Sequence, residues 1–315
     1  MRARSEARTG MSESSLATPG TSFDADLTGG RSKARGAKNI LAAVLVSACF
    51  AIALIPLAWI LWTVASKGLH LLLDINWWQQ SQRGITSRTD GGGAYHALVG
   101  SLITALACAA ISVPIGVLGA VYLVEYGRKG RLARAVSFMV DIMTGIPSIV
   151  AALFVYALWV TIFGFERVAF AVSLSLVLLM VPAVLRVTEE VLRLVPNELR
   201  EASYALGVPR WKTILKIVIP TAFSGIVTGV MLGLARIMGE TAPLLILGPY
   251  TKSINFNPFS GNMAALPTMI NQDRTESLQP AVDRTWAAAL TLVLLVLLLN
   301  IVARAIARFS AVRDR

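Results

Sequence analysis

Long apolar runs alternate with short polar segments along this chain. The first run, 40–64, holds 25 uncharged residues, more than the ~20 a helix needs to cross a hydrocarbon core. It also exceeds the apolar region of roughly 7 to 15 residues found in a cleaved signal peptide, the competing reading. Further runs follow at 97–124, 135–164, 168–187, 221–247 and 285–307. The pattern predicts an all-α polytopic membrane protein with six transmembrane helices. Residues 1–38 carry no apolar run and are rich in Ser, Thr, Gly and Arg, which predicts a disordered arm. Within that arm Met11 is an alternative start.

Composition agrees with this pattern. Hydrophobic residues make up 55% of the chain and mean hydropathy is +0.65, too apolar for an ordinary soluble domain. The excess of 29 Lys and Arg over 18 Asp and Glu could signal nucleic acid, but its distribution argues for topology. Segments 1–38, 125–134, 186–220 and 304–315 fall on one side and hold 21 of the 29 basic residues. This is the positive-inside signature, so both termini are expected in the cytoplasm, and charges such as Arg128, Lys129, Arg131 and Arg134 need no ligand. No nucleic-acid role is required. Cys49 and Cys108 lie in apolar runs and read as small buried hydrophobes. His70 and His96 lack the spacing of a metal site, and no histidine is placed for acid-base work, so neither a metal nor a membrane enzyme is implied.

On the outer side, loops 66–96 and 248–284 exceed minimal turns. Trp77 and Trp78 read there as membrane-interface residues, with a docking surface for an external partner as the alternative.

Two spans contain polar exceptions. The fifth includes Arg236, Glu240, Thr241 and Pro243. A mid-bilayer arginine costs about 2.5 to 3.5 kcal/mol and so needs a partner or a task. Glu240, four residues on, can be that partner in a helix. Alternatively Arg236 meets an anion on a substrate pathway, since its planar guanidinium offers paired donors to oxyanions. Thr241 would then extend the path, and Pro243 would break the helix beside it. In the third span Pro147, after Gly145, removes a helical hydrogen bond and predicts a break. Such a break can kink a helix or aim free N–H groups at an anion. Where the fourth span ends, Arg186, Thr188, Glu189 and Glu190 read as solvated interface charges, with Arg186 a second candidate for the inner end of the path.

Segment 195–220 reads as two short helices, with Pro196 in the first turn and Gly207 as a left-handed cap. Leu199, Ala202, Ala205 and Leu206 recur at helical spacing as a small apolar face, suited to insertion into another protein or to lying on lipid. Glu201, Ala202, Gly207, Ile217, Ile219 and Pro220 fall at the spacing of the EAA loop of ATP-binding-cassette importer permeases. Ser203 stands for that motif's second alanine and Ile219 for its leucine. The resemblance implies a coupling helix that docks on an ATPase subunit, with Glu201, Ala202, Gly207 and Pro220 as its marker residues.

Residues 239–245, the run 145–150 after Asp141, the Gly91–Gly93 turn, 262–267, Trp286 to Leu290 and Asn300 together resemble phosphate permeases of the PstA type. The resemblance spans about residues 40–308. It implies the fold of a type I ATP-binding-cassette importer permease in a bacterial inner membrane. The implied partners are a sister permease subunit, a cytoplasmic ATPase dimer and an extracytoplasmic phosphate-binding protein. ATP would bind to the ATPase, because this chain has no Gly-rich phosphate loop followed by Lys and Ser or Thr, and no cofactor of its own is expected. The alternatives are a permease for another oxyanion or the sister phosphate permease, against which the 239–245 run speaks, and an ion-coupled secondary transporter, against which the loop at 195–220 speaks.

Overall fold

A computed structural model describes residues 33–127 and 130–312. Of the arm expected to be disordered over 1–38, residues 1–32, with the alternative start, lie outside the described residues, as do the topology charges Arg128 and Lys129. Residues 33–38, by contrast, are helical, because the first apolar run's helix extends back to Lys33. The chain forms two units that divide between Trp59 and Ile60. In the first, the described part is the front of helix α1 (Lys33–Leu72), whose residues 38–59 are exposed. Cys49 is among them, so only Cys108 is the buried hydrophobe that both cysteines were expected to be.

Every regular element among the described residues of the second unit is a helix. After the end of α1 come α2 (Ile75–Gln79) and α3 (Tyr95–Val121), the latter continuing through a π turn at Tyr122–Gly127. Then α4 (Arg131–Thr144), α5 (Ser148–Tyr156) and α6 (Ala169–Leu194) lead to the short α7 (Asn197–Ala205) and α8 (Arg210–Thr213). The last four are α9 (Ile219–Met238), α10 (Ala242–Leu247), α11 (Leu266–Asp273) and α12 (Gln279–Val312).

Among the described residues, five helices are long and apolar enough to cross a bilayer alone: Lys38–Leu72, Tyr95–Gly127, Ala169–Leu194, Arg210–Met238 and Gln279–Arg308. The pair Arg131–Thr144 and Ser148–Ile162, bent by 105°, makes a sixth when taken as one broken span. The bend has a local cause. Gly145 caps α4 through its N–H to the Ile142 carbonyl, and Pro147, in extended backbone, is the N-cap of α5. A proline there cannot donate to α4, so one helix stops and another begins.

The most buried of the long helices is α6, whose Val172, Leu176, Met180, Val184 and Leu185 form the centre of two core clusters. α9 approaches it through a stripe of glycines at four-residue spacing, Gly225, Gly229 and Gly233. A Cβ on Gly225 would lie 2.5 Å from Val191 Cγ1, and one on Gly229 would lie 2.3 Å from Val187 Cγ1. Small residues at this spacing let two membrane helices bring their backbones together.

Two sequence expectations change. The fifth span does not run unbroken from 221 to 247. It ends at Met238, where Gly239 caps it, and α10 restarts at Ala242. The break therefore precedes Pro243, which sits in the first turn of α10, where its missing N–H costs nothing. In the other direction, α8 continues through a π turn, Ile214–Val218, into α9, so the second loop helix is the start of the span. The π turn shifts the hydrogen-bond register just before Pro220, which lets a helix pass a residue with no N–H.

Candidate functional site

The α6 and α9 helices place Arg186 and Arg236 on one cavity of about 170 Å3, whose wall includes Thr144 and Ile146 at the α4–α5 break. The helical repeat explains Arg236: seven residues beyond Gly229 returns to nearly the same face, the one that meets α6. The apolar remainder of the lining includes Leu179 and Val187. Beside the cavity, the Pro147 cap leaves the first N–H groups of α5 without intrahelical acceptors.

Arg186 is held firmly. Its Nη1 donates to Glu189 Oε2 at 2.7 Å, and its Nη2 donates to the Ser137 carbonyl and hydroxyl at 3.0 Å each and to Asp141. Glu189 also accepts from Arg193 Nη2 at 2.7 Å. The expectation of solvated interface charges here needs correction, because Thr188 and Glu189 are buried. They face the packed side of α6, and a buried carboxylate is retained there because two guanidiniums neutralise it.

Arg236 differs. It is exposed, and its guanidinium has no hydrogen bond or ion pair among the described residues. The expected pairing with Glu240 is absent because α9 ends first: Gly239 N–H bonds the Arg236 carbonyl and Glu240 N–H the Ile237 carbonyl, both in tight turns. The i, i+4 relation requires a continuing helix. Thr241 lies on a second cavity of about 400 Å3, with Gly239, Asn271 and Arg274. The structure thus joins Arg186, Arg236 and the Gly145–Pro147 break, but separates Thr241 from them and places Glu240 on neither cavity's wall. Sequence reading passed over Arg274, a single loop arginine without any motif. The glycine stripe of α9 was a legible signal that sequence reading passed over as well.

Segment 195–220 is shaped by its caps. Pro196 is the N-cap of α7 rather than a first-turn residue, and Gly207 ends the helix at φ 75°, a left-handed conformation that glycine adopts without cost. Glu201, Ala202, Gly207 and Pro220 are all exposed. So are the apolar residues Leu199 and Leu206, the latter 83% exposed. Behind this outward apolar face, Arg200 donates to Glu125 Oε1 through Nε at 3.0 Å and Nη2 at 2.9 Å. Ser203 and Thr213 share a buried hydroxyl–hydroxyl bond of 2.8 Å.

At the opposite end, Trp77 is not an interface residue. It is 1% exposed and donates from Nε1 to Thr291 Oγ1 at 2.9 Å, because α2 folds inward under the loop; Trp78 is 39% exposed. Tyr250 donates to Gln82 Oε1 at 2.9 Å, and Gln82 donates to Asp273 Oδ2 at 3.1 Å. Burial first, then the Asp273 carboxylate, pushes the Tyr250 hydroxyl above its ordinary pKa. Arg284 donates to the carbonyls of Thr86 at 3.1 Å and Thr89 at 2.8 Å. These bonds join segments 66–96 and 248–284 into one surface.

Comparison with known proteins agrees with this architecture. Residues 112–313 match the family described as binding-protein-dependent transport system inner membrane component. The chain is 51% identical over 281 residues to phosphate transport system permease protein PstA 1 of Mycobacterium tuberculosis (strain ATCC 25618 / H37Rv), covering 89% of this chain and 91% of that protein. To the PstA of Pasteurella multocida it is 38% identical over 274 residues, 86% and 94% of the two chains. Among solved structures, an inward-facing conformation of the MetNI methionine ABC transporter matches with a TM-score of 0.54 at 23% identity, over 69% of this chain and 94% of that one, which speaks for the fold. The family match over more than half of the chain, and the relatives half identical along most of it, show that this protein belongs to the inner membrane components of binding-protein-dependent transport systems, with the PstA permeases.

Proposed function

We propose that the chain is a permease subunit that moves inorganic phosphate across the bacterial cytoplasmic membrane in an ATP-driven importer. The observation that carries this reading is the cavity at the α4–α5 break, where Arg236 offers a full set of free donors opposite a fixed Arg186. Phosphate oxygens suit such paired donors. The half-identical relatives are named phosphate permeases, which favours phosphate over other oxyanions.

In this reading α7 is the docking knob for a cytoplasmic ATPase dimer, and both termini lie on that side with most of the basic residues. ATP binds and is hydrolysed on the ATPase, and this chain acts as conduit and lever. The lever is physical: Arg210–Met238 is one continuous helix, roughly 40 Å long at 1.5 Å per residue. It runs from the loop beside α7 to the turn that bears Arg236, so a push at the loop moves the pathway arginine. A sister permease completes the conduit. An extracytoplasmic phosphate-binding protein delivers substrate to the surface stapled by Gln82, Tyr250 and Arg284. Release requires that the two states bind phosphate unequally, because a ligand shifts only an equilibrium in which it binds one state better.

The test is phosphate uptake in cells that lack their own importer and are supplied with the partner subunits. Wild type should restore uptake, while Glu201→Lys and Arg236→Leu should assemble and fail. Retention of uptake by Arg236→Leu would remove that residue from the path. An assembled wild-type complex that imports no phosphate would refute the substrate.

A further inference from the structure

Between the π turn that ends α3 and the coupling helix lies a separate cavity of about 380 Å3, walled by Glu125, Arg193, Asn197, Arg200, Tyr204 and Arg210. Its charges do not balance. Its wall holds one carboxylate and three guanidiniums: among the described residues Arg200 pairs with Glu125 and Arg193 with Glu189 behind it, and Arg210 has no carboxylate. Arg200 offers nothing further, since Glu125, the Leu192 and Val195 carbonyls and Asn197 Oδ1 occupy its five N–H donors. Arg210 stacks over the Tyr126 ring at 4.9 Å, and its Nε is buried without an acceptor. A buried charged donor left unpaired is costly, and an ion supplied from outside removes that cost.

We propose that this cavity is a binding site for a phosphate group, distinct from the translocation cavity. Arg210 supplies the surplus charge, Arg193 its donors not used by Glu189, and Tyr204 and Asn197 a hydroxyl and an amide donor. Free phosphate and the headgroup of an anionic phospholipid share this chemistry. Either would bridge Arg193 at the end of α6 to Arg210 at the start of the α8–α9 lever, across both ends of the coupling segment. Its placement on the cytoplasmic face rests on the topology proposed above.

The test uses the assembled complex in nanodiscs of phosphatidylcholine alone, with radiolabelled inorganic phosphate as probe in equilibrium binding. Wild type should show a binding phase that Arg210→Gln weakens about ten- to a hundredfold, the loss of a charge-assisted hydrogen bond. Arg210→Lys, which keeps the charge without the fork, should fall between. If Arg210→Gln does not assemble, Arg210→Lys and Tyr204→Phe carry the test. In a parallel arm, discs containing phosphatidylglycerol are examined by native mass spectrometry. Anionic lipid retained by wild type and lost by Arg210→Gln assigns the headgroup as the source. Phosphate binding that is equal in wild type and variants, with no lipid retained, overturns the proposal. So does a partner-subunit carboxylate that crosslinks to the Arg210 site. Uptake is scored separately, so a complex that imports nothing yet binds at Arg210 fails the functional reading alone.

Discussion

Arg200→Met should detach α7 from the helices behind it, at a cost set by the carboxylate it abandons. Glu125 is 3% exposed and Arg200 12% exposed in their side chains, and they meet at 2.9 Å. Removal of one partner from a buried pair leaves an uncompensated charge worth about 3 to 5 kcal/mol. The lost donors to the Leu192 and Val195 carbonyls add about 0.5 to 1.5 kcal/mol each at most, since water can reach a loop end. The stranded carboxylate therefore dominates. An apolar pair of similar size removes both charges together, so Glu125→Leu with Arg200→Met should recover most of the loss. The assay is a double-mutant cycle on the purified protein, unfolded by SDS titration in mixed micelles and followed by circular dichroism. A coupling of about 2 kcal/mol or more is expected, with uptake impaired most in the Arg200→Met single variant. Singles within about 0.5 kcal/mol of wild type, or a double variant that equals the sum of the two, would refute the reasoning.

Gly229→Ala places a methyl 2.3 Å from Val187 Cγ1, so α9 must move off α6 at a cost of about 1 to 3 kcal/mol. Uptake should fall and then recover when Val187→Ala is added; no recovery would mean that the glycine does not set the spacing of the two helices. Ser203→Ala deletes the buried bond to Thr213 for about 1 kcal/mol, because Thr213 keeps a weaker bond to the Pro209 carbonyl at 3.4 Å. The variant should retain uptake with a slightly lower unfolding midpoint, and complete loss of uptake would give Ser203 a role beyond anchoring.

Hydropathy alone located the membrane segments, because each apolar run carries its own demand for a hydrocarbon solvent. Gly145 and Pro147 announced the α4–α5 break, and Gly207 the end of α7, since backbone permission is a property of the residue itself. The outward face of Leu199 and Leu206 was equally visible as helical spacing. Sequence could not choose partners for the charges. Arg236 and Glu240 are four residues apart and yet unpaired, because a glycine turn ends the helix between them. Arg186 finds Asp141 across 45 residues and Arg200 finds Glu125 across 75, pairings that exist only once α6 has packed against its neighbours. Trp77 was buried, and Arg210 left with its surplus charge, by the same long-range packing. Local sequence determined which segments become helices and where they stop, whereas the approach of one helix to another decided which charges are neutralised and which remain free to bind an anion.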